Sequence, residues 1–106
     1  GRRLPYAAFN SHIERHAAHP LQVADLARIA DLSVTRLHAR FMAECGQTPM
    51  DYLRSRRLHM ALTLLRETSL PIGEIAERVG YASQSAFCAA MLRAFGASPG
   101  ALRRAG

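Results

Sequence analysis

The chain carries the same residue pattern twice. Leu26-Ala27, Ala30-Asp31-Leu32-Ser33, Leu37, Phe41, Cys45-Gly46 and Pro49 recur as Ile75-Ala76, Val79-Gly80-Tyr81-Ala82-Ser83, Phe87, Met91, Phe95-Gly96 and Pro99. From position 26 to 75 the offset is 49 residues, and from 33 to 83 it is 50, so the second copy holds one extra residue at a point where a turn absorbs it. Each copy reads as a short helix, a turn and a longer helix whose apolar residues recur every four positions: Leu37, Phe41 and Cys45 in one, Phe87, Met91 and Phe95 in the other. Such a stripe packs one face of the second helix, Cys45 included, and leaves the opposite face free. A helix held that way fits a DNA major groove about 12 Å wide, which is helix-turn-helix logic. Asp31 occupies the turn position that Gly80 fills in the second copy, and aspartate tolerates the left-handed conformation better than most residues.

The rest of the chain reads as helix too. Alternation never lasts long enough for a strand, and Gly and Pro fall between helical stretches. The spacing predicts an all-α chain with about seven helices, near 5–18, 22–30, 33–45, 49–67, 72–79, 83–95 and 98–104. Ser33, Thr48, Ser83 and Ser98 stand where side-chain oxygens cap helix starts, with Pro49 and Pro99 in the first turn. Gly46, Gly80 and Gly96 stand where helices stop. The fourth helix places Leu53, Leu58, Ala61, Leu62 and Leu65 on one face, and Arg54, Arg56, Arg57 and Arg66 mostly elsewhere. The organisation expected is one DNA-binding domain over 1–106: a first subdomain over about 5–48, a linker helix over about 49–67 and a second subdomain over about 68–106.

Charge indicates the class of partner. The chain has 14 basic residues, all arginine, against 8 acidic ones, for a formal net charge of +6. Genomic base content accounts for arginine in place of lysine but not for the excess, which favours a polyanion such as double-stranded DNA. A hydrophobic fraction of 49% fits a folded globular protein. No apolar run is long enough to span a bilayer and no signal-peptide core opens the chain, so the expectation is a cytoplasmic protein with no membrane partner. Cys45 and Cys88 lack CxxC spacing. Redox sensing through Cys88 would need a lowered thiol pKa, for which the sequence offers no cause. His12 and His16 share a helix face and His19 follows, but HIERH lacks the glutamate placement of a zinc-binding HExxH and no carboxylate lies at close spacing to complete a set. No nucleophile with its base, paired carboxylates or phosphate-cradling loop is present, so neither an enzyme nor a cofactor or metal is expected.

These residues resemble the AraC/XylS family of regulators. The likeness runs from about Val23 to Leu102, carried by Val23-Ala24-Asp25-Leu26-Ala27, Leu32-Ser33, Thr48-Pro49, Ile75-Ala76, Gly80-Tyr81-Ala82-Ser83-Gln84-Ser85, Phe87 and Phe95-Gly96-Ala97-Ser98-Pro99. The resemblance implies two recognition helices reading successive major-groove segments of an asymmetric site, held apart by the long helix. It also implies an effector-sensing domain upstream, in keeping with a chain that opens at Gly1 without a methionine. The DNA-binding portion is expected to be monomeric and the intact protein dimeric.

Counting from the caps, with Leu37, Phe41, Phe87 and Met91 inward, Thr35, Arg36, His38 and Ala39 turn toward bases in the first unit, with Val34 at the edge. Gln84, Ser85, Cys88 and Ala89 do so in the second. Gln84 is the best reader there, because a carboxamide pairs bidentately with adenine. Ser33, Arg40, Arg54, Arg56, Arg57, Ser83 and Arg93 are the expected phosphate contacts. The chain departs from the family pattern at Ala39 and Ala89, where an arginine is common, and at Leu92, where a phosphate-binding arginine often stands. Readout shifted toward A·T pairs follows from the alanines, with Arg36, Arg40 and Arg93 compensating. The competing reading is a degenerate helix-turn-helix that binds a protein such as RNA polymerase, for which exposed Met42 and Leu92 would speak. A repeated hairpin used only for packing is the blandest alternative.

Overall fold

The computed structural model describes residues 3–106. Within them lie seven helices: α1 (Tyr6–His16), α2 (Val23–Ala30), α3 (Val34–Cys45), α4 (Pro49–Glu67), α5 (Ile72–Arg78), α6 (Gln84–Phe95) and α7 (Pro99–Ala105). No strand occurs among the described residues. Every helix expected from periodicity is present, with its ends within two residues of the expectation.

The boundaries have local causes. Ser33, Thr48, Ser83 and Ser98 each accept, through the side-chain oxygen, the backbone N–H three residues on, at 3.2, 3.0, 3.1 and 3.2 Å. At α4 the cap is reciprocal, since Asp51 accepts the Thr48 N–H at 3.3 Å. Gly46 and Gly96 end α3 and α6 in the left-handed conformation. The start of α2 is held by Asp25, which accepts the Gln22 N–H at 3.1 Å.

The repeat is visible in the backbone. In the first turn Asp31 is left-handed at φ 57°, and in the second Gly80 is at φ 87°. The Leu32 N–H donates to the Ala27 carbonyl at 2.9 Å, and the Tyr81 N–H donates to the Ala76 carbonyl at the same distance. The extra residue of the second copy, Ala82, lies between this turn and the Ser83 cap.

Two hydrophobic cores share α4. The first gathers Leu4, Phe9, Ile13, Leu26, Ala27, Leu37, Phe41, Tyr52 and Leu53. Within it the rings of Phe9 and Phe41 stack at 5.7 Å, and Phe41 lies 5.2 Å from Tyr52. The second gathers Leu58, Ala61, Leu65, Ile75, Ala76, Val79, Phe87, Ala90, Met91 and Leu102. Met60 packs against both. The N-terminal half of α4 therefore fills one core and the C-terminal half the other, and α4 packs on all six other helices. Its 19 residues make a rod of about 28 Å. Arg103 ties α7 to the end of that rod, donating to the carbonyls of Leu65 at 3.0 Å and Thr68 at 3.3 Å, which the helix terminus leaves without an intrahelical donor.

One expectation fails. Cys45, read as core because it continues the Leu37/Phe41 stripe, is exposed. The last turn of α3 runs past the edge of the first core, and the Cys45 thiol meets the Tyr6 hydroxyl at 3.0 Å instead. Its counterpart Phe95 is half-buried and sets its ring against His59 at 5.5 Å.

Candidate nucleic-acid interface

Leu37 and Phe41 anchor α3 with no exposed surface, and Phe87 and Met91 do the same for α6. What these anchors leave outward follows from helical geometry. On α3, Thr35, Arg36, His38 and Ala39 are exposed and Arg40 is half-exposed; on α6, Gln84, Ser85, Ala89 and Arg93 are exposed and Cys88 is half-exposed. Each group lies on one side of its helix, directly beyond a serine cap and a left-handed turn. Val34, Met42 and Leu92 add exposed apolar surface, Leu92 the most at 55%.

The cations on α3 are not equivalent. Arg40 is held by Glu44, with Nε and Nη2 donating at 3.2 and 3.1 Å. Glu44 also accepts the Tyr6 hydroxyl at 2.7 Å and the Leu4 N–H at 3.1 Å, binding the segment before α1 to the end of α3. The Tyr6 hydroxyl, then the Leu4 amide and Arg40, hold the Glu44 carboxyl below the ordinary carboxylate range. Burial, then the contacts with the Cys45 thiol and the Glu44 carboxylate, push the Tyr6 phenol upward. Arg36 and His38 take no part in these contacts, so α3 presents a guanidinium and an imidazole on its outward face beside Ala39. The outward face of α6 is nearly uncharged, with Arg93 its one cation.

Of the four arginines of α4, the three expected at phosphates, Arg54, Arg56 and Arg57, do not converge. Arg54 pairs with Asp51 at 3.2 Å on an exposed face. Arg56 lines a groove of 670 Å³ with Glu14, His59 and Met60. Arg57 is drawn inward: Nη2 donates to the His19 carbonyl at 3.0 Å, and burial lowers its pKa from the ordinary value, with Tyr81 acting in the opposite sense.

His12 and His16 approach to 4.8 Å between ring centroids, and His12 Nε2 lies 4.0 Å from Asp25. No group of three or more side chains among the described residues is arranged to hold a metal ion. Among the same residues no helix is long and apolar enough to cross a membrane.

Sequence reasoning missed the setting of Gln84. A methyl group placed on Gly73 would lie 3.0 Å from its Oε1, so the Gln84 amide rests over the first turn of α5. A glycine inside a seven-residue helix, at a position held by Ala24 in the first copy, was the available signal.

A helix-turn-helix domain family matches residues 26–105 of the chain. An AraC-like transcription regulator of Streptomyces antibioticus is 42% identical over 92 residues, which is 87% of this chain and 30% of that protein. The regulatory protein SoxS of Escherichia coli K12 is 37% identical over 87 residues, covering 82% of this chain and 81% of its own length. The chain therefore spans about a third of some relatives and most of another. Among solved structures, the C-terminal domain of the response regulator AraT from Geobacillus stearothermophilus superposes with a TM-score of 0.81 at 33% identity, covering 100% of this chain and 89% of that one. The DNA-binding domain of the global transcriptional factor AdpA, solved with a target DNA, gives 0.80 at 30% identity, covering 95% of this chain and 91% of its own. Two capped, turn-linked helix pairs on one long helix, matched over nearly the whole chain, place this protein in the AraC/XylS family of helix-turn-helix transcription regulators.

Proposed function

We propose that this chain is one DNA-binding domain that recognises a specific, asymmetric duplex by placing α3 and α6 in successive major-groove segments, and so regulates transcription in the cytoplasm. The observation that carries the reading is the pair of outward faces on α3 and α6, each fixed by two fully buried anchors and a serine cap at either end of a common rod. Groove segments on one side of DNA recur about every 34 Å, and a molecule 43 Å long can hold two readers near that spacing. Thr35, Arg36, His38 and Ala39 read bases from α3; Gln84, Ser85, Cys88 and Ala89 read them from α6. Ser33, Ser83, Arg40, Arg54, Arg56 and Arg93 reach phosphates, Arg40 and Arg54 by exchanging their carboxylate partners. The domain binds as a monomer, and an effector-sensing domain belongs to the intact protein, which dimerises. The similarity to AdpA, whose domain was solved on DNA, supports this reading.

The test is selection from a random duplex pool followed by anisotropy titration at two salt concentrations. Two boxes about one helical turn apart, with affinity falling steeply as salt rises, are expected. A second reading rests on Met42 and Leu92, exposed apolar residues on the two candidate recognition helices. It makes the domain a docking module for a protein such as RNA polymerase, and absence of any enriched motif with salt-insensitive binding would favour it.

A further inference from the structure

Arg57 leaves α4 between Leu53, in the first core, and Leu58, in the second. Its side chain is half-buried, folded back against the protein. Nη2 donates to the His19 carbonyl in the turn after α1, and the Nε atom is sealed from water. The other end of the fork lies against Gly80 in the turn of the second helix pair. A methyl group at Gly80 would sit 2.8 Å from Nη1 and 3.0 Å from Cζ of Arg57, and would overlap the Ala17 carbonyl oxygen. Three parts of the chain distant in sequence therefore meet around one cation: the end of α1, the middle of α4 and the turn between α5 and α6.

The repeat isolates what is particular here. Asp31 shows that this left-handed turn accepts a side chain in the first copy. At Gly80 the backbone approach of Ala17 and the Arg57 fork removes the room for one. The principal helix packings elsewhere lie within one helix-turn-helix unit or against α4, whereas this junction bridges the two units outside the rod itself. A cleft of 210 Å³ lined by Leu21, Met50, Leu53, Arg54, Arg57 and Tyr81 adjoins it, which leaves that side of the interface loosely filled apart from the guanidinium.

We propose that Arg57 is a positioning residue, a clamp that locks the two helix-turn-helix units into one orientation and so sets the spacing of the DNA boxes the protein accepts. This gives Arg57 a role other than phosphate contact. The clamp follows from the junction alone; its effect on box spacing rests on the tandem-reading proposal above.

Arg57→Met and Arg57→Gln both keep side-chain bulk and remove the cation, so either one that folds decides the question. Amide residual dipolar couplings of the free chain should fit one alignment tensor across α1–α3 and α5–α7 in the wild type. In the variants the two sets should require tensors of different magnitude. On a duplex selected in vitro, inserting one base pair between the boxes should cost the wild type roughly tenfold or more in affinity and the variants only a few-fold, with the salt slope unchanged. A single tensor in the variants would overturn the clamp. So would an unchanged spacing preference with a salt slope smaller by about one, the signature of a lost phosphate contact. If no duplex is enriched, the tandem-reading proposal fails while the tensors still decide the clamp.

Discussion

An alanine on a recognition helix can offer a base pair only a methyl group, which suits thymine and leaves guanine unread. Ala39 and Ala89 are both exposed beyond their buried anchors, so the two units lack the same polar reader at matching positions. Ala39→Arg should therefore add a preference for guanine at one position of the selected motif, worth about 1–3 kcal/mol, visible as a change in one column when selection is repeated. Gln84→Ala should relax base choice at a different single position. Arg54→Ala should weaken binding to all sequences alike and reduce the salt slope by about 0.9, less if the Asp51 pair holds the side chain away from DNA. Uniform loss from both Gln84→Ala and Arg54→Ala, measured on cognate and mismatched duplexes, would sink the recognition-helix assignment. At this scale periodicity served well for Leu37, Phe41, Phe87 and Met91, because a buried stripe determines what faces out. It misread Cys45, since spacing cannot show where the core ends. It gave no hint that Arg57 and Arg103 serve carbonyls 38 and 35 or 38 positions away, because such contacts leave no local pattern.

Four helices, α3, α4, α6 and α7, begin at a serine or threonine cap, and α3 and α6 end at glycines, which is why those limits are legible in the sequence. Removing the hydroxyl in Ser33→Ala or Ser83→Ala leaves an amide of the first turn unpaired and should lower stability by about 0.5–2 kcal/mol, read by chemical denaturation. The start of α2 carries no serine or threonine signal: glutamine is an uncommon cap, and here the Gln22 N–H donates to the Asp25 carboxylate. The same chemistry makes the elements acid-sensitive. Asp25, Glu44 and Asp51 all sit below the ordinary carboxylate range: Asp25 chiefly through the Gln22 amide, Glu44 through the Tyr6 hydroxyl, and Asp51 through the Thr48 side chain. A carboxyl depressed in the folded state contributes its full stability above the unfolded value, about 4, and loses it as pH falls through the lower folded value. Melting temperature should hold near neutrality and drop below about pH 4. Glu44→Gln should shallow that drop and should free the segment around Leu4, detectable as faster amide exchange there; an acid profile identical to wild type would remove Glu44 from the account.

Seen whole, the molecule is two small cores threaded on one helix, and each alone would be near the lower limit for an independent fold. Tyr52 and Leu53 belong to one core and Leu58, Ala61 and Leu65 to the other, with Met60 against both. Helix propagation is cooperative, so losing one core leaves half of α4 without the packing that sustains it. Damage in one core should therefore be felt in the other. Phe87→Ala removes a ring with no exposed surface and should cost about 3–5 kcal/mol, a large share of what a domain of this size commands. If α4 transmits the loss, slow amides of α1 and α3 should lose protection by the same free energy as those of α5 and α6, and Tyr6, Tyr52 and Tyr81 should report one denaturation midpoint. Loss of protection confined to α5–α7 would mean that the rod holds two units that fold separately. DNA binding would then survive as single-box recognition by α3, a result that a half-site titration of the same variant can register directly.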